Sequence, residues 1–140
     1  MSTPTVQRSF RLTVRTSELL NDIAEETGES RTSLVEQVLA EGLRTHSHPL
    51  ISFRTGGAGR REPGLVGTRI LVRQVIATLR ADGDDIAATA EYFGIPEASV
   101  RAAITYFADF TEEVDRDAAA AQDRADRELA RWQRAQDVLA

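Results

Sequence analysis

The chain has 140 residues, enough for one ordinary domain or two small ones, and its 41% hydrophobic content can supply a core. It has no cysteine, which excludes disulfides and thiolate chemistry and fits a reducing cytoplasm. The net charge of −5 has the wrong sign for a protein that coats nucleic acid indiscriminately. No signal-peptide pattern or membrane-spanning apolar run is found, so a cytoplasmic protein without a membrane partner is expected. The charge is unevenly spread. Residues 1–16 carry Arg8, Arg11 and Arg15 and no acid, whereas residues 109–140 carry nine acids against five arginines, a balance of −4. A basic arm and an acidic tail point to two different partners.

The first segment, residues 1–45, opens with Val6-Gln7-Arg8-Ser9-Phe10-Arg11-Leu12, which alternates as a strand does. Phe10 and Leu12 fall on one face, and Gln7, Ser9 and Arg11 on the other. A helix follows, capped by Thr13 or Thr16, which buries Leu20, Ile23 and Ala24 and ends at Gly28. Ser30 then caps a second helix with the stripe Leu34, Val35, Val38, Leu39 and Leu43. One strand cannot satisfy its own backbone groups, so this unit is expected to pair with a second copy as an antiparallel ribbon. The residues Thr45-His46-Ser47-His48-Pro49 read as a linker.

The second segment, residues 50–110, predicts strands at 50–53 and 65–70 around the loop Arg54-Thr55-Gly56-Gly57-Ala58-Gly59-Arg60-Arg61-Glu62-Pro63-Gly64. The loop lacks the Lys-Ser/Thr ending of a phosphate-binding loop and reads as a mobile hairpin tip. Helices are predicted at about 72–81, 85–93 and 96–108. The last two, around Gly94-Ile95-Pro96, have helix-turn-helix spacing, with Ile86, Ile95, Val100 and Ile104 inside. If that pair read DNA, Glu97, Ala98, Arg101, Ala102 and Thr105 would face the groove. Only Arg101 is a strong donor and Glu97 repels phosphate, so the pair reads as scaffold or protein-binding surface.

The third segment, residues 111–140, reads as one long helix. Val114, Ala118, Ala121, Ala125, Leu129 and Trp132 recur at intervals of three and four, and most other positions are charged. The Ala-rich part of this stripe is shallow, so the helix needs a partner surface. The expected fold class is therefore mainly α: a dimerising strand-helix-helix unit, a small helix-turn-helix (winged-helix-like) domain with a short β-hairpin, and a long C-terminal helix.

Two candidate sites lie in the first segment. Gln7, Ser9 and Arg11, with their symmetry mates, would present base-reading groups on a ribbon of a width the DNA major groove admits. The plain alternative is a solvated strand face. Ser30, Arg31 and Thr32 open a helix whose first amides favour anions, which suits a DNA phosphate; capping by Ser30 is compatible with that role. His46 and His48 have no carboxylate or cysteine near them in sequence, so no metal site is expected. No cofactor site and no catalytic constellation is apparent, so the chain reads as a non-enzyme.

Residues 6–43 resemble the ribbon-helix-helix repressors of the Arc/MetJ/CopG superfamily, most closely at Gly28-Glu29-Ser30-Arg31-Thr32-Ser33-Leu34; Val14 stands where those proteins commonly have a proline. Residues 50–140 resemble the family called domain of unknown function 433, through Leu65-Val66-Gly67-Thr68-Arg69-Ile70, Ala90-Glu91-Tyr92-Phe93-Gly94-Ile95 and Tyr106-Phe107-Ala108-Asp109. The combination is similar to VapB-type antitoxins. It implies an antitoxin of a type II toxin–antitoxin pair that represses its own operon at a palindromic double-stranded operator and silences a PIN-domain ribonuclease toxin. Such a nuclease holds Mg²⁺ among carboxylates and attracts a guanidinium. Leu129 and Trp132 would then anchor the helix on the toxin, with Arg124, Arg127, Arg131 and Arg134 beside them. Alternatively the same row packs on the second segment with its arginines solvated. The other functional reading is a stand-alone ribbon-helix-helix regulator whose C-terminal part senses a ligand or mediates oligomerisation.

Overall fold

The computed structural model describes residues 3–140, which are mainly helical with one small antiparallel sheet. They divide into two compact units at Leu43 and Arg44.

In the first unit, α1 (Val14–Thr27) starts where Thr13 Oγ1 accepts from the Thr16 amide at 3.2 Å. It ends at Gly28, whose φ of 71° lets its N–H reach the Ala24 carbonyl; any residue with a Cβ would be strained there. Ser30 starts α2 (Arg31–Ser47) by accepting from the Ser33 amide at 3.1 Å. Within the single chain residues 3–13 form no strand. The physical reason is that a strand needs a hydrogen-bonded neighbour, and no described residue provides one there. The 45–49 linker is also corrected: α2 continues to Ser47, because its last turn is held by the second unit.

The second unit begins with β1 (Ile51–Thr55) and β2 (Arg61–Leu65), paired antiparallel with Ile51 opposite Leu65 and Thr55 opposite Arg61. The hairpin is where expected, but its second strand lies before 65–70. At 66–70 the chain turns instead: Gly67 has a φ of 75°, and Thr68 Oγ1 donates to the Leu65 carbonyl while accepting from the Ile70 amide. The helices α3 (Val72–Ala81), α4 (Ile86–Phe93) and α5 (Glu97–Asp109) follow. Asp85 caps α4, and Gly94, with a φ of 66°, makes the α4–α5 turn. Ile51, Leu65, Val72, Val75, Ile76, Leu79, Ala90, Val100, Ala103 and Tyr106 form a continuous core.

Helix α6 (Thr111–Leu139) starts immediately after a break at Phe110. Its beginning belongs to the second unit rather than to a separate third segment, since Val114 is 2% exposed and sits in the same core.

Candidate functional site

Among its described residues the first unit buries only Ala24 and Leu34. Most of its other large apolar side chains line an open groove of about 680 Å³. Leu19 and Ile23 of α1 form one wall, Val35, Val38 and Leu39 of α2 the other, and Phe10 and Leu12 reach it from the N-terminal arm. Val38 is 59% exposed and Phe10 73%. Fully burying one side chain of this size contributes about 1.5–3 kcal/mol, so the uncovered groove represents a large unrealised stabilisation.

Gln7, Ser9 and Arg11 are exposed along the arm, and Arg11 also borders the groove between Phe10 and Leu12. Ser30, Arg31 and Thr32 are exposed at the start of α2, which has no acid in its first turn. Ser30 satisfies the Ser33 amide with its hydroxyl and the Leu34 amide with its carbonyl. The amides of Arg31 and Thr32 precede these, at the helix positions that have no intrahelical acceptor. Both sets of residues are thus accessible on the same unit, and the alternating face expected of Gln7, Ser9 and Arg11 is one that would form on pairing with a second copy.

The C-terminal helix has two parts. In its first half Glu113, Val114, Asp117, Ala120 and Ala121 are buried or half-buried against the rest of the unit. Ala118, Ala125, Leu129 and Trp132 are all exposed, although Trp132, about five turns after Val114, lies in phase with it. Trp132 is 60% exposed and Leu129 54%. The alternative in which this row packs on the second segment is therefore overturned. The helix docks through Glu113, Val114, Asp117, Ala120 and Ala121 in its first half, whereas beyond Arg124 every residue except Ala130 is exposed, so Leu129 and Trp132 are exposed because that half of the helix is not covered.

The arginines of α6 differ in their surroundings. Arg124 Nε bonds Glu128 Oε1 at 3.2 Å and its guanidinium lies against the hairpin tip at Gly57. Arg127 bonds back to the Asp123 carbonyl at 3.4 Å. Arg131 and Arg134 are exposed on either side of Trp132 in sequence.

Sequence reasoning missed a polar cluster at the end of α2. Arg44 grips both Glu113 carboxylate oxygens, donates to the Tyr106 hydroxyl at 3.3 Å and stacks 4.1 Å above the Phe110 ring. The hydrogen bond from Arg44 holds the Glu113 carboxyl below the usual range, and burial pushes the Tyr106 phenol up. His48 is 8% exposed, lies 2.9 Å from Asp109 through Nε2, and meets the Tyr106 and Phe110 rings edge-on. A carboxylate 61 positions away thus partners a histidine that has none near it in sequence. The signal that could have found the cluster is its spacing: Arg44 and His48 are four apart, as are Asp109 and Glu113, so two basic and two acidic positions match across helices.

Glu97 and Arg101 of α5 form an exposed i,i+4 pair at 3.2 Å, which occupies the one strong donor of that helix. Among the described residues no group of three or more His, Cys, Asp or Glu side chains could hold a metal ion, and no helix is long and apolar enough to cross a membrane. Compared with known proteins, the chain matches no family model, no curated protein and no solved structure.

Proposed function

We propose that the protein is a DNA-binding antitoxin: its first unit dimerises and represses its operon, and its C-terminal helix captures a PIN-domain ribonuclease toxin. The observation that carries this reading is the open groove of the first unit. Two helices and an arm whose described residues bury only Ala24 and Leu34 suit a unit completed by a second copy. Pairing of the arms at 6–12 would provide the missing strand neighbour, bring Phe10 and Leu12 over both grooves, and leave Gln7, Ser9 and Arg11 for base edges. A two-fold dimer implies a palindromic double-stranded operator, with Ser30, Arg31 and Thr32 on its phosphates. The exposed row of Leu129 and Trp132 offers the toxin an aromatic anchor of the kind that dominates interfaces, with Arg131 and Arg134 next to it.

The test is co-expression of the chain with the product of a neighbouring small nuclease gene. The full chain should co-purify with the nuclease and protect RNA from it. A chain ending after Arg124, which keeps Val114 and Asp117 in place, should still bind operator DNA yet fail to protect RNA. Protection by the shortened chain would move the inhibitory surface into residues 44–124. Failure of the full chain to bind any such nuclease, with operator binding intact, would instead favour the stand-alone regulator.

A further inference from the structure

The Gly-rich tip of the hairpin, which in sequence reads as mobile, is seated against α6. The tip turns through Gly56 to Arg60, with the Gly56 amide donating to the Arg60 carbonyl at 2.7 Å and Gly59 at a φ of 76°. Arg60 Nη2 reaches Asp117 Oδ1 at 2.8 Å, and the Asp117 side chain is only 12% exposed. Gly57 and Ala58 face Ala120 and Ala121 across a cleft of about 50 Å³, which small residues on both sides keep narrow. A Cβ at Gly57 would fall on the Arg124 guanidinium, which Glu128 holds from the other side.

The tip is anchored on its far side as well. Glu62 at the start of β2 is 7% exposed and accepts from Arg73 Nε of α3 at 2.8 Å. A Cβ at Gly56 would lie 2.6 Å from Glu62 Oε2, so the lack of a side chain at Gly56 lets the tip close over that fixed carboxylate. A continuous set of contacts therefore runs from α3 through Glu62 and the tip to Asp117 and Arg124. Beyond Arg124 every residue of α6 is exposed except Ala130, which is half-buried.

We propose that the 56–60 hairpin tip is a clasp on α6 that holds the helix as far as Arg124 and thereby sets which stretch, residues 125–139, projects for a partner. The local sequence of α6 does not supply this division. Charged residues and alanines continue on both sides of Arg124, and an isolated helix of this composition frays gradually rather than at a fixed point. The clasp converts part of the helix into a fixed stem, so that a partner of the projecting part meets a helix with a defined root. The proposal concerns only the second unit and holds whether or not that partner is a nuclease.

Amide hydrogen exchange on the full chain tests it. In the wild type, amides at 117–124 should exchange at least tenfold more slowly than those at 126–139. Arg60→Ala and Gly57→Val should each bring the rate at 117–124 at least threefold closer to the distal rate, with α3 and α5 unchanged. Arg127→Ala, which removes a side chain outside the clasp, should leave the 117–124 rates as they are. If Gly57→Val disrupts the hairpin itself, so that α3 and α5 also lose protection, Arg60→Ala at the half-exposed tip decides. Unchanged exchange at 117–124 in Arg60→Ala, or equal protection of both halves in the wild type, would overturn the proposal.

Discussion

Helices α2 and α3 carry nearly the same apolar spacing and meet opposite fates. In α3, Val72, Val75, Ile76 and Leu79 follow the intervals three, one and three, and all four are buried. In α2, Val35, Val38, Leu39 and Leu43 follow three, one and four, and all four are exposed. The difference lies in the surroundings. Around α3 the hairpin, α4, α5 and the first half of α6 close a core, whereas the apolar stripe of α2 borders an open groove shared with α1 and the arm. An amphipathic stripe states that a face must be covered; it does not state whether the cover comes from the same chain.

The sharpest way to break this contrast is to remove the centre of the closed unit. Tyr106 is 1% exposed and touches Phe53, His48 and Phe110, so Tyr106→Ala should cost about 3–5 kcal/mol, read as a lowered denaturant midpoint of the second unit. A loss below 1 kcal/mol would mean that the core is not closed around it. The next largest effect concerns the open unit. If a second copy covers the groove, its stability should rise with protein concentration while that of residues 44–140 does not. Leu39→Asp should abolish that dependence, and sedimentation of the variant should give a monomer; a dimer of Leu39→Asp through the arm and groove would contradict the reading.

A smaller effect distinguishes the two units by pH. The Glu113 carboxyl is lowered in the folded state, chiefly by its hydrogen bond from Arg44. Its contribution is therefore present above the ordinary carboxylate pKa of 4.5 and is lost as pH falls through the lowered folded value. Glu113→Gln should flatten that acid limb for the second unit by about 1 kcal/mol or less, since the carboxylate is half exposed and screened by solvent. An unaltered limb would show that the Arg44–Glu113 contact adds nothing to stability. The smallest expected change is at Trp132. Trp132→Ala should shift the second unit's stability by less than about 0.5 kcal/mol, as for other exposed sites, while weakening capture of a partner more than tenfold. A large loss of stability would return Trp132 to the body of the protein. On DNA, Arg11→Ala should relax base preference at a cost of about 1–3 kcal/mol, whereas Arg31→Ala should weaken all sequences alike and lower the salt slope.

Where structure is set by neighbours a few residues away, the chain could be read directly. Thr13, Gly28, Ser30, Asp85 and Gly94 mark helix ends through contacts within four positions, and α3 runs from Val72 to Ala81 as its spacing predicts. The second strand was misplaced because Val66-Gly67-Thr68-Arg69-Ile70 looks extended by residue type, while the Thr68 hydroxyl and the left-handed Gly67 favour a turn. The candidate DNA residues were legible as an alternating polar set, but a strand is a property of a pair, and the pair is not contained in these residues.

By itself the sequence determined the helices, their local caps, the presence of a hairpin and an apolar stripe in each half, because these follow from periodicity and from hydrogen bonds made within a turn. Only the tertiary structure decided which stripe is covered. It placed His48 against Asp109 and Arg44 against Glu113, and it seated the glycine tip on Asp117 and Arg124. It also separated the docked first half of α6 from the exposed second half that carries Leu129 and Trp132. Those outcomes depend on groups 57 or more positions apart meeting at fixed distances, and nothing in local spacing says which distant face will arrive.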